Sequence, residues 1–179
     1  MKYQYVLDFW FADEQREFWF SKSDAFDLEI EQRFGETLIH AIQGELADWR
    51  NSAQGRLAEI IVLDQFSRNI FRDHAAAFAQ DSMALALAQE AVHLGLDQQL
   101  SVEQRAFLYM PFMHSESKHV HQHALALFEA LGNPINLDFE RRHQAIIERF
   151  GRYPHRNAIL ARESSAEELA FLQQPNSSF

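Results

Sequence analysis

The sequence predicts an all-α protein of seven to eight helices. Almost no stretch alternates apolar and polar residues with the period of two that a half-buried strand requires. Apolar residues recur instead at three- and four-residue spacings along nearly the whole chain. The periodic stretches are short, with capping residues at their starts and glycine or proline at their ends.

Taken in order, residues 3–11 form a first short helix with Val6, Leu7, Trp10 and Phe11 apolar. Residues 13–23 connect it onward, yet they hold Phe18, Trp19 and Phe20, so part of the connector packs inward. Ser23 or Asp24 caps a second helix. Its stripe is Phe26, Ile30, Phe34, Leu38 and Ile42, and it ends near Leu46, with Trp49 anchoring the exit. A third helix covers residues 54–71. An alanine-rich fourth covers 76–94, with Gly95 as its terminating residue. Ser101-Val-Glu-Gln104 is a capping box that opens a fifth helix, which Pro111 breaks or kinks. A sixth runs over 115–131 and stops at Gly132-Asn-Pro134. A seventh runs over 137–150 and is closed by Gly151. The polar loop from Arg152 to Asn157 leads into a short helix, and a capping box at Ser164-Ser-Ala-Glu167 opens a last one ending at Leu172. Residues 170–179 are predicted to fray.

A chain of 179 residues fits one domain, 1–179, able to bury a core without disulfides or metal. It has no cysteine, which excludes a thiol nucleophile, a thiolate metal site and a disulfide framework. The N-terminus has no signal-peptide character and no apolar run approaches the ~20 residues of a membrane span, so a soluble, cytoplasmic protein is expected. The net charge of −10 argues against nucleic-acid binding. Residues 8–36 hold nine acids and three bases, whereas 140–163 hold six arginines and three acids. Of 16 basic residues 13 are arginine, the side chain suited to two-pronged pairing with carboxylate or phosphate.

The third helix is the most apolar. Ile60, Leu63, Phe66 and Ile70 make one stripe; Leu57 and Ile61 make a second that continues into Asp64, Arg68 and Arg72. A helix apolar on most sides is central, so Asp64 is expected to be at least partly buried.

The run Leu63-Asp-Gln-Phe-Ser-Arg-Asn-Ile-Phe-Arg72 resembles the domain of unknown function 924 family of bacterial and fungal proteins. So do Val6-Leu-Asp-Phe-Trp-Phe11, Phe18-Trp-Phe20 with Asp24 and Phe34, Met110-Pro-Phe-Met-His-Ser-Glu116, and Arg149-Phe-Gly-Arg-Tyr-Pro-His-Arg-Asn157 followed by Glu167, Glu168, Phe171 and Leu172. The similarity covers nearly the whole chain in order. It implies a compact, tetratricopeptide-like right-handed arrangement of helices and no established activity. Ser67 stands where the family pattern has proline and Tyr153 where it has phenylalanine. His119, His121 and His123 are outside that pattern.

Four groups of residues are candidates for chemistry. Asp64, Arg68 and Arg72, at i, i+4 and i+8 with Asn69 beside them, make either an anion site or a structural ion pair. His114 and Glu116 make either an acid–base pair or a helix N-terminus capped by Ser115. Arg152, Tyr153, His155, Arg156 and Asn157, braced by Pro154, make either a binding loop or a closing contact with the acidic N-terminal third. In the binding version Asn157 caps the following short helix, whose free amides favour an anion. Three Glu-x-x-His spacings, at Glu90/His93, Glu116/His119 and Glu140/His143, with His123 on the face of Glu116 and His119, are the only metal-ligand pattern. No glycine-rich phosphate loop or nucleophile elbow is present.

The expected function is a binding or scaffold protein whose arginine-rich pocket takes a small anionic ligand or an acidic peptide end. One alternative is a hydrolase- or isomerase-type enzyme with His114 or Glu116 as acid or base and Arg68 stabilising charge. A second is a carboxylate/histidine metalloprotein. No cofactor, nucleic acid or membrane partner is predicted.

Overall fold

The structure, a computed structural model, describes residues 1–178. These contain nine α-helices and no strand. α1 (Tyr3–Trp10) buries Val6, Leu7, Phe9 and Trp10. A 3₁₀ turn at Asp13–Phe18 then returns Trp19 onto α1, where its indole N–H donates to Trp10 O at 2.9 Å. Phe18 and Trp19 are half-buried, while Phe20 is exposed.

α2 (Asp24–Ile42) starts where Ser23 accepts the Phe26 N–H. It buries the predicted face of Phe26, Ile30, Phe34 and Leu38. It ends four residues before the predicted Leu46, because Gly44 takes a left-handed φ of 75°. Trp49 follows, buried on a 3₁₀ turn at Ala47–Asn51.

α3 (Ala53–Ile61), a π-helical turn (Val62–Phe66) and α4 (Ser67–Ile70) form one continuous helical rod. Every residue from Leu57 to Ser67 is buried. α1, α5 and α6 pack on α3, and α2 packs on the π turn and α4. The third predicted helix is therefore central, but its single period is broken in the middle. Close packing also fixes its entry: a Cβ on Gly55 would lie 2.0 Å from Trp49 O.

The predicted fourth helix is divided. A 3₁₀ turn at Ala75–Phe78 precedes α5 (Asp81–His93), whose Ala84, Ala88 and Ala91 are fully buried. α6 (Val102–Met113) opens on Ser101 and Gln104, with both capping-box hydrogen bonds made. Pro111 lies in its last turn and does not break it, because only the Phe107 carbonyl loses a donor there. α7 (Lys118–Leu131) is capped by Ser117, not Ser115. α8 (Pro134–Phe150) begins three residues before the predicted start, since Asn133 caps it and Pro134 suits the first turn. α6 packs on α7 and α7 on α8.

After a 3₁₀ turn at Pro154–Arg156 the chain makes turns, not the expected short helix. α9 (Ala166–Phe171) is capped reciprocally by Ser165 and Glu168, one residue later than predicted, because Ser164 accepts a hydrogen bond from Asn157 instead. In the tail predicted to fray, Ser177 donates to Leu172 O at 3.2 Å, and Phe179 lies outside the described residues. The nine helices count the third predicted helix twice, because the π turn separates α3 from α4, and lack the short helix expected after Asn157.

Candidate functional site

A cleft of about 310 Å³ lies between the start of α5, the end of α6 and the Pro154–Arg156 turn, and the π turn places Asp64 behind His114, one of the residues that line it. Asp64 is fully buried. Its Oδ1 accepts from His114 Nδ1 at 2.7 Å and forms an ion pair with Arg68 Nη1 at 2.9 Å, which donates its hydrogen bond to the Asp64 backbone O at 2.8 Å. Its Oδ2 accepts from the Gln65 amide. Burial alone would raise this carboxyl; Arg68 and His114 overcome it and hold Asp64 well below the usual carboxylate range.

His114 is the C-cap of α6 and its side chain is 17% exposed. Burial, helped by Arg68 and opposed by Asp64, holds the imidazole below its ordinary 6.5. At neutral pH Asp64 is a carboxylate and can only accept, so neutral His114 carries its proton on Nδ1. Nε2 then presents a lone pair, makes no hydrogen bond among the described residues, and belongs to a side chain lining the cleft.

Asp81, the first residue of α5, joins two arginines. It lies 3.1 Å from Arg68 and 3.2 Å from Arg156 Nη1. The Arg156 guanidinium is sandwiched between the rings of Phe78 and Tyr153, 4.6 Å from each centroid. Its Nε is buried without a hydrogen-bond partner among the described residues. Burial, reinforced by Arg68, lowers the Arg156 pKa from its ordinary value.

The structure thus brings together Asp64, Arg68, His114 and Arg156, with Glu116 on the cleft wall. Glu116 is not paired with His114. Arg162 grips its carboxylate through two bonds of 2.6 and 2.9 Å, and the Tyr153 N–H donates to it at 2.8 Å. Burial pushes Glu116 up, but these donors win and keep it below its ordinary range. Nor does it sit at a helix start, because α7 begins later.

The remaining candidates lie elsewhere. Arg72 and Asn69 both bind Asp27 of α2, and the three line a cleft separate from that of His114. The end of α4 at Ile70 takes Arg72 off the face of Asp64 and Arg68. Arg152 closes the C-terminus through Glu168 at 2.6 and 2.8 Å. Asn157 caps no helix; it ties Arg162 to Ser164. His155 stacks beside Tyr153, 5.5 Å between centroids, and burial together with Arg156 lowers it to about 4. Tyr153 is buried and its hydroxyl donates to Met113 O at 2.5 Å, a tether that the phenylalanine of the family pattern would lack.

The metal pattern does not converge. Glu140 pairs with His121, His143 donates to Phe139 O, and His119 and His123 are exposed neighbours with rings 4.8 Å apart. His93 is exposed and Glu90 binds Arg56. Among the described residues no three or more His, Asp or Glu side chains are grouped as ligands.

Asp81 and Phe78 escaped the sequence reading, which put both inside one alanine-rich helix. The signal for Asp81 was an acid followed by serine at a break in that alanine run.

Fold and site define an all-helical protein with a buried Asp–His–Arg cluster opening on a small cleft. Residues 6–176 match the family described as "Bacterial protein of unknown function (DUF924)", and the chain belongs to that family. It is also similar to the solved structure of a protein of unknown function, ATU0120, from Agrobacterium tumefaciens. The two share 39% identity over 96% of each chain, with a TM-score of 0.91. No curated protein matches the chain. No helix among the described residues is long and apolar enough to cross a membrane.

Proposed function

We propose that the cleft is an acid–base site in which His114 Nε2 accepts a proton from a small anionic substrate, or from water attacking it. One observation carries this reading. Asp64 holds Nδ1 at 2.7 Å and leaves Nε2 open to the cleft. A carboxylate behind an imidazole fixes the tautomer and stabilises the imidazolium once the proton arrives. Arg68 is occupied by Asp64 and Asp81, so it holds Asp64 in place. The anion falls to Arg156, which lines the cleft and whose planar face is fixed by two rings. The cleft volume of about 310 Å³ suits a small molecule better than a folded partner.

A panel of small carboxylate and phosphate esters, assayed with wild type and His114→Gln, tests it. General-base catalysis contributes about 10²–10⁴-fold, and that factor is expected to be lost in His114→Gln. Equal rates for both proteins on every ester that turns over would refute the reading.

The second reading is a scaffold in which tetratricopeptide-like helix pairs offer a concave face to an acidic peptide end. The successive packing of α6, α7 and α8 supports it. It leaves the Asp64–His114 contact without a role, so we place it second.

A further inference from the structure

Behind the cleft lies a second polar group that the acid–base reading does not use. His121 on α7 and Glu140 on α8 are both fully buried, with His121 Nδ1 2.7 Å from Glu140 Oε1. His121 Nε2 lies 2.9 Å from Ser115 O. A carbonyl oxygen only accepts, so Nε2 carries a proton. The contact with Glu140 then has two forms. Either His121 is an imidazolium facing a carboxylate, or Glu140 is a carboxylic acid donating to the bare Nδ1. Glu140 Oε2 is buried with no hydrogen-bond partner among the described residues. For a carboxylate that is a charge-bearing atom left unsolvated, whereas for a carboxylic acid it is an ordinary carbonyl oxygen. The neutral form therefore fits the site.

The pair acts on the backbone that carries His114. His121 Nε2 holds Ser115 O, and the Tyr153 hydroxyl, 3.2 Å from that nitrogen, holds Met113 O at 2.5 Å. These two carbonyls flank His114. We propose that Glu140 is protonated at neutral pH, and that Glu140, His121 and Tyr153 are positioning residues that fix the turn presenting His114 to Asp64 and the cleft. The inference rests on the acid–base reading only for its consequence in turnover.

The test uses the full chain and needs no substrate. Infrared difference spectra of wild type minus Glu140→Gln are expected to show a protonated carboxylic acid band at neutral pH; its absence overturns the protonation. His114 is then titrated by NMR in Glu140→Gln, Glu140→Ala and Tyr153→Phe. Gln can still donate to His121 Nδ1, so Glu140→Gln is expected to titrate as wild type. Glu140→Ala and Tyr153→Phe are expected to move His114 upward toward its ordinary 6.5. An unmoved His114 in both, or an equal shift in Glu140→Gln, overturns the positioning role. Should Glu140→Ala fail to fold, Tyr153→Phe and Glu140→Gln still decide. If the NMR pattern holds while no ester distinguishes wild type from His114→Gln, the positioning stands and the acid–base reading fails.

Discussion

Asp64 Oδ1 receives His114 Nδ1 and Arg68 Nη1 together, at 2.7 and 2.9 Å, although Asp64 and His114 lie 50 positions apart in the chain. One carboxylate thus orients a proton acceptor and neutralises a largely buried cation. Asp64→Ala removes both functions. Breaking a buried pair from one side costs about 3–5 kcal/mol. The urea midpoint of Asp64→Ala is expected to fall accordingly. Asp64→Asn, which can still accept through its amide oxygen, is expected to keep more stability while losing the activity that depends on His114. A midpoint for Asp64→Ala equal to wild type would show that the pair is not holding α4 to α6.

Arg156 and Arg152 are four residues apart and differ in role. Arg156 lines the cleft; Arg152 is bound to Glu168. If phosphate or a small carboxylate raises the melting temperature of the wild type, Arg156→Lys is expected to abolish that shift, because an ammonium loses both the planar stack and the fork. Arg152→Lys is expected to retain it. Equal retention in both variants would remove Arg156 from the site.

Stability is expected to fall as the solution becomes acidic, before carboxylates protonate. Burial lowers His114, His143 and His155, the latter two to about 3 and about 4, from an ordinary 6.5. The unfolded chain therefore binds protons below pH 6.5 that the folded chain refuses, and stability rises with pH in that window. Each histidine contributes a slope of about 1.4 kcal/mol per pH unit while its folded form stays neutral. Urea midpoints measured from pH 7 downward check this, and His143→Gln is expected to flatten the slope. A profile that stays level between 6.5 and about 4 would contradict it.

Two glycines give opposite expectations. Gly55→Ala drives a Cβ to 2.0 Å from the Trp49 backbone oxygen. That forces the entry of α3 apart, and a loss of at least about 1–3 kcal/mol is expected in thermal or urea unfolding. Gly35 lies inside α2 with only Glu31 Cγ at 4.0 Å, so Gly35→Ala is expected to stabilise by about 0.5–1 kcal/mol. The reverse order of stabilities would mean that α3 enters differently.

Local chemistry was legible in the sequence wherever one residue decides it. Ser23, Ser101, Gly95 and Gly151 start or stop helices where expected because their side chains or φ angles act within a turn. Adjacent choices were not legible. Ser117 displaces Ser115, and Ser165 displaces Ser164, because the selection rests on partners elsewhere in the fold. The polar residues of the site stood out against an apolar helix and a crowded loop. Their grouping did not, since Asp81 owes its place to contacts with Arg68 and Arg156 far along the chain. The division of Asp64 and Arg68 from Asn69 and Arg72 was hidden too. From Leu57 to Phe66 all faces are buried, so no periodic marker records the change in winding.

The π turn at Val62–Phe66 amounts to one surplus residue in an otherwise regular rod. Each residue of an α-helix advances the chain by about 100° around its axis. A homologous chain one residue shorter between Ile61 and Ser67 would keep every helix and rotate Ser67–Ile70 by about that angle. Arg68 would swing away from Asp81, and Asn69 from Asp27. Such a deletion would pass unnoticed in a comparison of helix lengths, yet it would separate chains that keep the Asp64–His114 cleft from chains that share only its architecture.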